Sequence, residues 1–197
     1  KGEQLLQNAS IQLEISNKAL PPAPLHLDLN EYGAKYLHPY RKQDVREQLY
    51  AERMAFNMAA AHHGVLNVLP YRSQRGIPHE GMAPKMINKD LLNPQLDWAD
   101  FDRRFGGYFD GSALASGQPL DHCYLPFNPN WPAPFELYDS DREKYERIWM
   151  AFARAYIDHF REKGWTETVF QVYCNQKPNA KNKIPWNLDE PKGTDDY

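Results

Sequence analysis

The chain has 197 residues, 42% of them apolar and 25% charged, with a formal net charge of −3. That length suits a domain with its own core, and so small a charge gives nucleic acid or a membrane surface no electrostatic hold. No run of about 18 apolar residues offers a transmembrane helix, and Cys123 and Cys174 make neither a disulfide framework nor a zinc ligand set.

The chain opens on Lys1-Gly2-Glu3-Gln4, as expected of an interior piece of a longer protein. Residues 9–16 alternate apolar and polar side chains, the period of a half-buried strand. The run Leu20-Pro21-Pro22-Ala23-Pro24 then breaks regular structure as a linker does. Residues 1–20 are therefore expected to be the remnant strand of an upstream β-sandwich plus its linker, and residues 21–197 a second domain.

In that second domain strands and helices alternate. A short strand is expected over 25–29, ending in Asn30-Glu31-Tyr32-Gly33. A helix follows from Asp44, which can cap it, to His63, with Gly64 as its stop. The second strand is placed at 65–69, followed by a long loop to about residue 96, a helix over 97–109 and a third strand at 122–127. The longest helix should run from a cap at Asp139 or Ser140 to Lys163, stopped by Gly164. Tyr145, Ile148, Trp149, Phe152, Ala155, Tyr156 and Phe160 give it one apolar stripe. A fourth strand is placed at 169–174.

Such alternation predicts an α/β fold with a parallel sheet and right-handed crossovers. An open doubly wound sheet and a (β/α)8 barrel both satisfy it. The long loops follow the strands rather than the helices, as on the active face of a barrel. The expected architecture is a partial (β/α)8 TIM-like barrel of about four strand-helix units, with its neighbours in the remainder of its own longer chain. Bare edges on such a sheet would make the isolated piece unstable or dependent on assembly with other material.

Chemistry concentrates near the end of the chain, where Trp186-Asn187-Leu188 precedes Asp189-Glu190-Pro191. Two adjacent carboxyls in a dry site do not both ionise, so one keeps its proton near neutral pH. One charged and one protonated carboxyl are the groups that cleave a glycosidic bond. The same residues also fit a helix start, with Asp189 as cap and Pro191 in the first turn. Substrate-binding candidates stand at the strand ends: Asn30 and Glu31, Tyr71 and Arg72, Asn128 and Trp131, and Asn175 with Trp186 beyond the fourth strand. Trp131 and Trp186 are the stacking candidates for a sugar ring, although most aromatics in a chain of this size pack in the core. His26 and Asp28 form a two-residue metal pattern that lacks a third ligand, so no metal and no cofactor is expected.

The stretch Asp97-Trp98-Ala99-Asp100-Phe101-Asp102-Arg103-Arg104-Phe105-Gly106-Gly107-Tyr108-Phe109-Asp110-Gly111-Ser112-Ala113 resembles bacterial proteins of the domain of unknown function 4091, which include glycoside hydrolase family 123. The helix end His159-Phe160-Arg161-Glu162-Lys163-Gly164-Trp165, the later Asp-Glu-Pro tripeptide and the linker Asn17-Lys18-Ala19-Leu20-Pro21 are similar to the same family. The resemblance implies a substrate-assisted β-N-acetylhexosaminidase acting outside the cytoplasm on an N-acetylated sugar. Asp189 would then stabilise the oxazolinium and Glu190 would be the general acid/base. A loop of about a dozen residues between Cys174 and Asp189 departs from the family pattern, in which the pair ends the strand. A non-catalytic carbohydrate-binding or structural barrel is the alternative, and a metal-dependent hydrolase using His26 and Asp28 is a third reading.

Overall fold

The computed structural model describes residues 10–15, 27–32, 44–71 and 76–172. Over these residues the fold is mixed α/β. Strand β1 (Leu27–Tyr32) leads to helix α1 (Val45–Ala61) and strand β2 (Gly64–Leu69). A two-residue hairpin, β3 (Lys85–Met86) and β4 (Leu96–Asp97), interrupts the long connection to α2 (Ala99–Phe109). Then come β5 (His122–Leu125), the short α3 (Glu136–Ser140), the long α4 (Arg142–Lys163) and β6 (Val169–Val172). Residues 10–15 belong to no strand, and Ile11, Leu13 and Ile15 stand exposed.

β1 pairs with β2, and β5 with β6, both in parallel. Strand β2 lies against β5, so the four parallel strands stand side by side in chain order. Each parallel pair is joined by a helix, as a parallel ladder requires. Among the described residues no closed barrel is formed, and the ladders β1–β2 and β5–β6 are each two-stranded.

Helix α1 starts where Asp44 accepts the Glu47 backbone N–H at 3.0 Å. Its end departs from expectation: the helix stops at Ala61, and His63 takes the left-handed conformation with φ 57°. Histidine is among the few side-chain-bearing residues enriched there. Gly64 instead opens β2, where a Cβ would come within 2.9 Å of Leu29 Cδ1; its bare backbone lets β1 and β2 close. Helix α4 is capped by Asp141, one residue later than expected, through the Lys144 N–H at 3.1 Å. Residues 136–140 form their own helical turn, and Ser140 Oγ donates back to Glu136 O at 2.7 Å, so Ser140 is already spent. The last turn closes at Gly164, as expected. At 22 residues, α4 is about 33 Å long.

The core lies between the helices and one face of the sheet. Phe101, Phe105 and Phe109 recur every fourth residue on α2 and meet Phe152, Tyr156 and Phe160 of α4, with Trp165 and Phe170 beyond them. Phe101 stacks on Phe160 at 6.0 Å, and Phe170 lies 4.4 Å from Phe160. Such ring pairs add about 0.5–1.5 kcal/mol each beyond the area they bury. One buried ion pair joins α1 to α2: Arg104 donates to both oxygens of Glu52, at 2.6 and 3.1 Å.

Candidate functional site

Strands expose side chains alternately to two faces. On β5 and β6, Cys123, Leu125 and Phe170 pack toward the core. Tyr124 and Gln171, one position away, face the opposite side, and there they meet Asp28 of β1 and Asn67 of β2. Parallel strands covered on both faces are ordinarily apolar throughout. Here each of four neighbouring strands places a polar side chain in one layer.

The layer is a connected network centred on Asn67, whose residue is 1% exposed. Its Oδ1 accepts the backbone N–H of Tyr124 at 2.9 Å. A backbone N–H can only donate, which settles the orientation of the Asn67 amide. Asn67 Nδ2 must then donate, and it points to Gln171 Oε1 at 3.2 Å and Asp28 Oδ2 at 3.5 Å. With Oε1 turned to Asn67, the Gln171 NH2 faces the other way. The Tyr124 hydroxyl donates to Asp28 Oδ2 at 3.2 Å. Asp28 Oδ1 has His122 Nε2 at 3.9 Å, outside hydrogen-bond reach. The Asp28 side chain keeps 37% of its surface exposed, whereas that of His122 keeps 14%.

None of these four residues was expected as a site from sequence, apart from Asp28 in the metal pattern. A signal was present: Asp28 in Leu-Asp-Leu, Asn67 in Val-Leu-Asn-Val-Leu and Gln171 in Val-Phe-Gln-Val are lone polar residues inside apolar runs. Their convergence depends on register between strands far apart in sequence. Among the described residues no group of three or more His, Cys, Asp or Glu side chains is spaced to hold a metal ion.

The expected site residues fare differently. Asn30 and Glu31, expected just after the first strand, lie inside β1, in register with Asn67 and Val68. Tyr71 is 1% exposed and bridges to Pro78. Asn128 is fully buried: its Nδ2 donates to Gly76 O at 2.7 Å and Pro126 O at 3.0 Å, and its Oδ1 accepts the Asn130 N–H at 3.0 Å. Its amide thus ties together the loops that follow β2 and β5. Trp131 packs edge-on against Phe127 and Phe152, at 5.3 and 5.6 Å. Arg72, Asn175, Trp186, Asp189 and Glu190 lie outside the described residues, as does His26.

The stretch 97–113 and the end of α4 meet in the helical layer. Asp102 of α2 receives His159 Nε2 at 2.7 Å and Lys163 Nζ at 2.9 Å, both from α4. The Trp98 indole stacks on the His159 ring at 4.0 Å, only 6° from parallel. The Asp102 hydrogen bond and charge hold the Lys163 ammonium above its ordinary pKa. This cluster binds α2 to α4 on the side of the sheet away from Asp28.

Two open clefts flank these elements. One of about 260 Å³ lies between α1 and α2, lined by Gln48, Glu52, Glu80, Asp100, Arg103 and Arg104. Asp100 there pairs with Lys85 and Arg103, and Arg104 with Glu52. The hydrogen bond from Lys85, then its charge, holds the Asp100 carboxyl below the usual range. The other, of about 340 Å³, lies beneath the starts of β2 and β5. No helix among the described residues is long and apolar enough to cross a membrane. Compared with family models, with curated proteins and with solved structures, the chain matches none.

Proposed function

We propose that the chain carries part of the catalytic barrel of a glycoside hydrolase, a retaining, substrate-assisted β-N-acetylhexosaminidase like those of glycoside hydrolase family 123 and the domain of unknown function 4091 proteins. The observation that carries this reading is the chain-order row of parallel strands β1, β2, β5 and β6, with helices on one face and a polar layer on the other. In this reading further strand–helix units from the remainder of its own longer chain close the sheet, and the polar layer turns inward.

The longest connection supports the same orientation. Strand β2 reaches α2 through residues 70–98, whereas α1 to β2 takes residues 62–63 and α4 to β6 takes 164–168; the β5 to α3 and α2 to β5 connections, 126–135 and 110–121, are of similar length. Barrel enzymes build their sites from loops that follow strands. In the proposed chemistry the acetamido oxygen of the sugar attacks its own anomeric carbon, and Asp189 stabilises the positive charge that forms. Glu190 protonates the departing glycosidic oxygen, then activates the water that opens the ring intermediate.

The test is hydrolysis of a 4-nitrophenyl N-acetyl-β-hexosaminide by the protein and by Glu190→Gln. Turnover by the first and its loss in the second is the expected result. Binding of glycans without turnover of any aminosugar points instead to the non-catalytic carbohydrate-binding barrel.

A further inference from the structure

The polar layer presents an acceptor and a donor on one open face. Asp28 Oδ1 makes no hydrogen bond among the described residues, and the Gln171 NH2 is turned away from the Asn67 amide that fixes it. An ionised carboxylate can only accept and an amide NH2 can only donate, so a group bridging them must do both. A hydroxyl does so; an ammonium, a phosphodiester anion and an alkyl group do not. Adjacent hydroxyls of a sugar ring can present one hydrogen to Asp28 and one lone pair to Gln171.

Resting on the glycosidase reading above, we infer that Asp28 and Gln171 bind ring hydroxyls of the substrate sugar. Asn67 and Tyr124 are positioning residues for them. Asn67 sets the Gln171 amide through the Tyr124 backbone, and the Tyr124 hydroxyl anchors the other Asp28 oxygen. Asp28 is four positions before the end of β1, while Tyr124 and Gln171 are one before the ends of β5 and β6. Their hydrogen bonds nevertheless bring these side chains together on one face of the sheet. A site built to pair a substrate hydroxyl discriminates strongly against an analogue that lacks it, because its own polar groups are then left unpaired.

The experiment compares the protein with Asp28→Asn and Gln171→Ala on 4-nitrophenyl N-acetyl-β-glucosaminide and its galacto epimer. A hydrogen bond to a charged group supports a loss of about 10–100-fold. The expected result is a KM raised at least about tenfold in Asp28→Asn, with kcat nearly unchanged and the epimer preference shifted. An unchanged KM and epimer preference in a folded Asp28→Asn overturns the inference and leaves the hydrolase reading standing. Where Asp28→Asn fails to fold, Gln171→Ala carries the same readout. Should the protein turn over neither substrate, the hydrolase reading falls, and calorimetry with N-acetylglucosamine and N-acetylgalactosamine decides the inference alone. Binding that disappears in Asp28→Asn sustains it; no binding to the parent protein, or equal binding to both proteins, overturns it.

Discussion

Asn67 stands in for a strand: its side-chain Oδ1 takes the Tyr124 backbone N–H at 2.9 Å, joining β2 to β5, between which no main-chain ladder runs among the described residues. This buried amide therefore links the two halves of the sheet at strand level, as the Asn128 amide does in the loops beyond them. Replacing Asn67 by Leu keeps the branched outline but strands the Tyr124 N–H and frees Gln171 and Asp28. A buried unsatisfied group costs about 1–3 kcal/mol, so we expect Asn67→Leu to lower the unfolding free energy by about 2–4 kcal/mol in urea titration. A loss below about 0.5 kcal/mol would mean that the sheet halves are joined by other contacts.

Local patterns announce the long elements and miss the short ones. The stripe from Tyr145 to Phe160 repeats over several turns, and packing of that stripe is what makes α4 a helix. The pair β3–β4 and the five-residue α3 are too brief to carry any period, so they hide within expected loops. Gly64 has the ordinary residue type of a helix stop, yet close packing against Leu29 decides its place. The site is less legible still. Asp28, Asn67, Tyr124 and Gln171 are unremarkable one at a time, and only the parallel register brings them together. Asn128 and Trp131 carry sugar-binding chemistry as residue types; the buried Asn128 amide is engaged by backbone carbonyls, while the half-buried Trp131 packs edge-on against core rings.

The Asn128 amide closes over Gly76, which has φ 62°. A Cβ at residue 76 would sit 1.9 Å from Asn128 Oδ1, so Gly76→Ala must both strain its own backbone and expel the amide. The left-handed conformation costs roughly 1–2 kcal/mol for a residue with a side chain, and the displaced hydrogen bonds about 1–3 kcal/mol more. We expect a total loss of about 2–5 kcal/mol. Asn128→Ala alone should cost about 1–3 kcal/mol. Combined, the two substitutions should cost clearly less than their sum, since the clash partner is gone. Strict additivity in denaturant unfolding would refute the coupling.

Glu52 is almost fully enclosed, and Arg104 neutralises it across the α1–α2 contact while also donating to Glu80 O at 3.0 Å. Removing one partner of a buried pair leaves a charge without compensation, at a cost of about 3–5 kcal/mol. Arg104→Met should therefore destabilise the protein by about that amount. The double substitution Glu52→Leu with Arg104→Met should recover most of the loss, because apolar replacements of both partners are often neutral. A double variant less stable than Arg104→Met would overturn this account and assign the ion pair a net favourable role.

Cys123 faces the core side of β5, and burial, followed by the nearby Glu52 charge, pushes its thiol up to about 12 from an ordinary value of 9.0. Only the thiolate attacks alkylating reagents, so native Cys123 should resist iodoacetamide at pH 8.5 and react once urea unfolds the chain. Peptide mass spectrometry separates it from Cys174. The sign of the stability effect follows from the raised folded value. Below pH 9 both states hold the proton and the thiol contributes no pH dependence. From about pH 9 upward the unfolded thiol ionises while the folded one does not, so stability falls toward pH 12. Cys123→Val should abolish that component of the alkaline decline while leaving the rest. Rapid labelling of the native thiol at pH 8.5, at the rate of the unfolded chain, would contradict the raised pKa of this half-buried thiol.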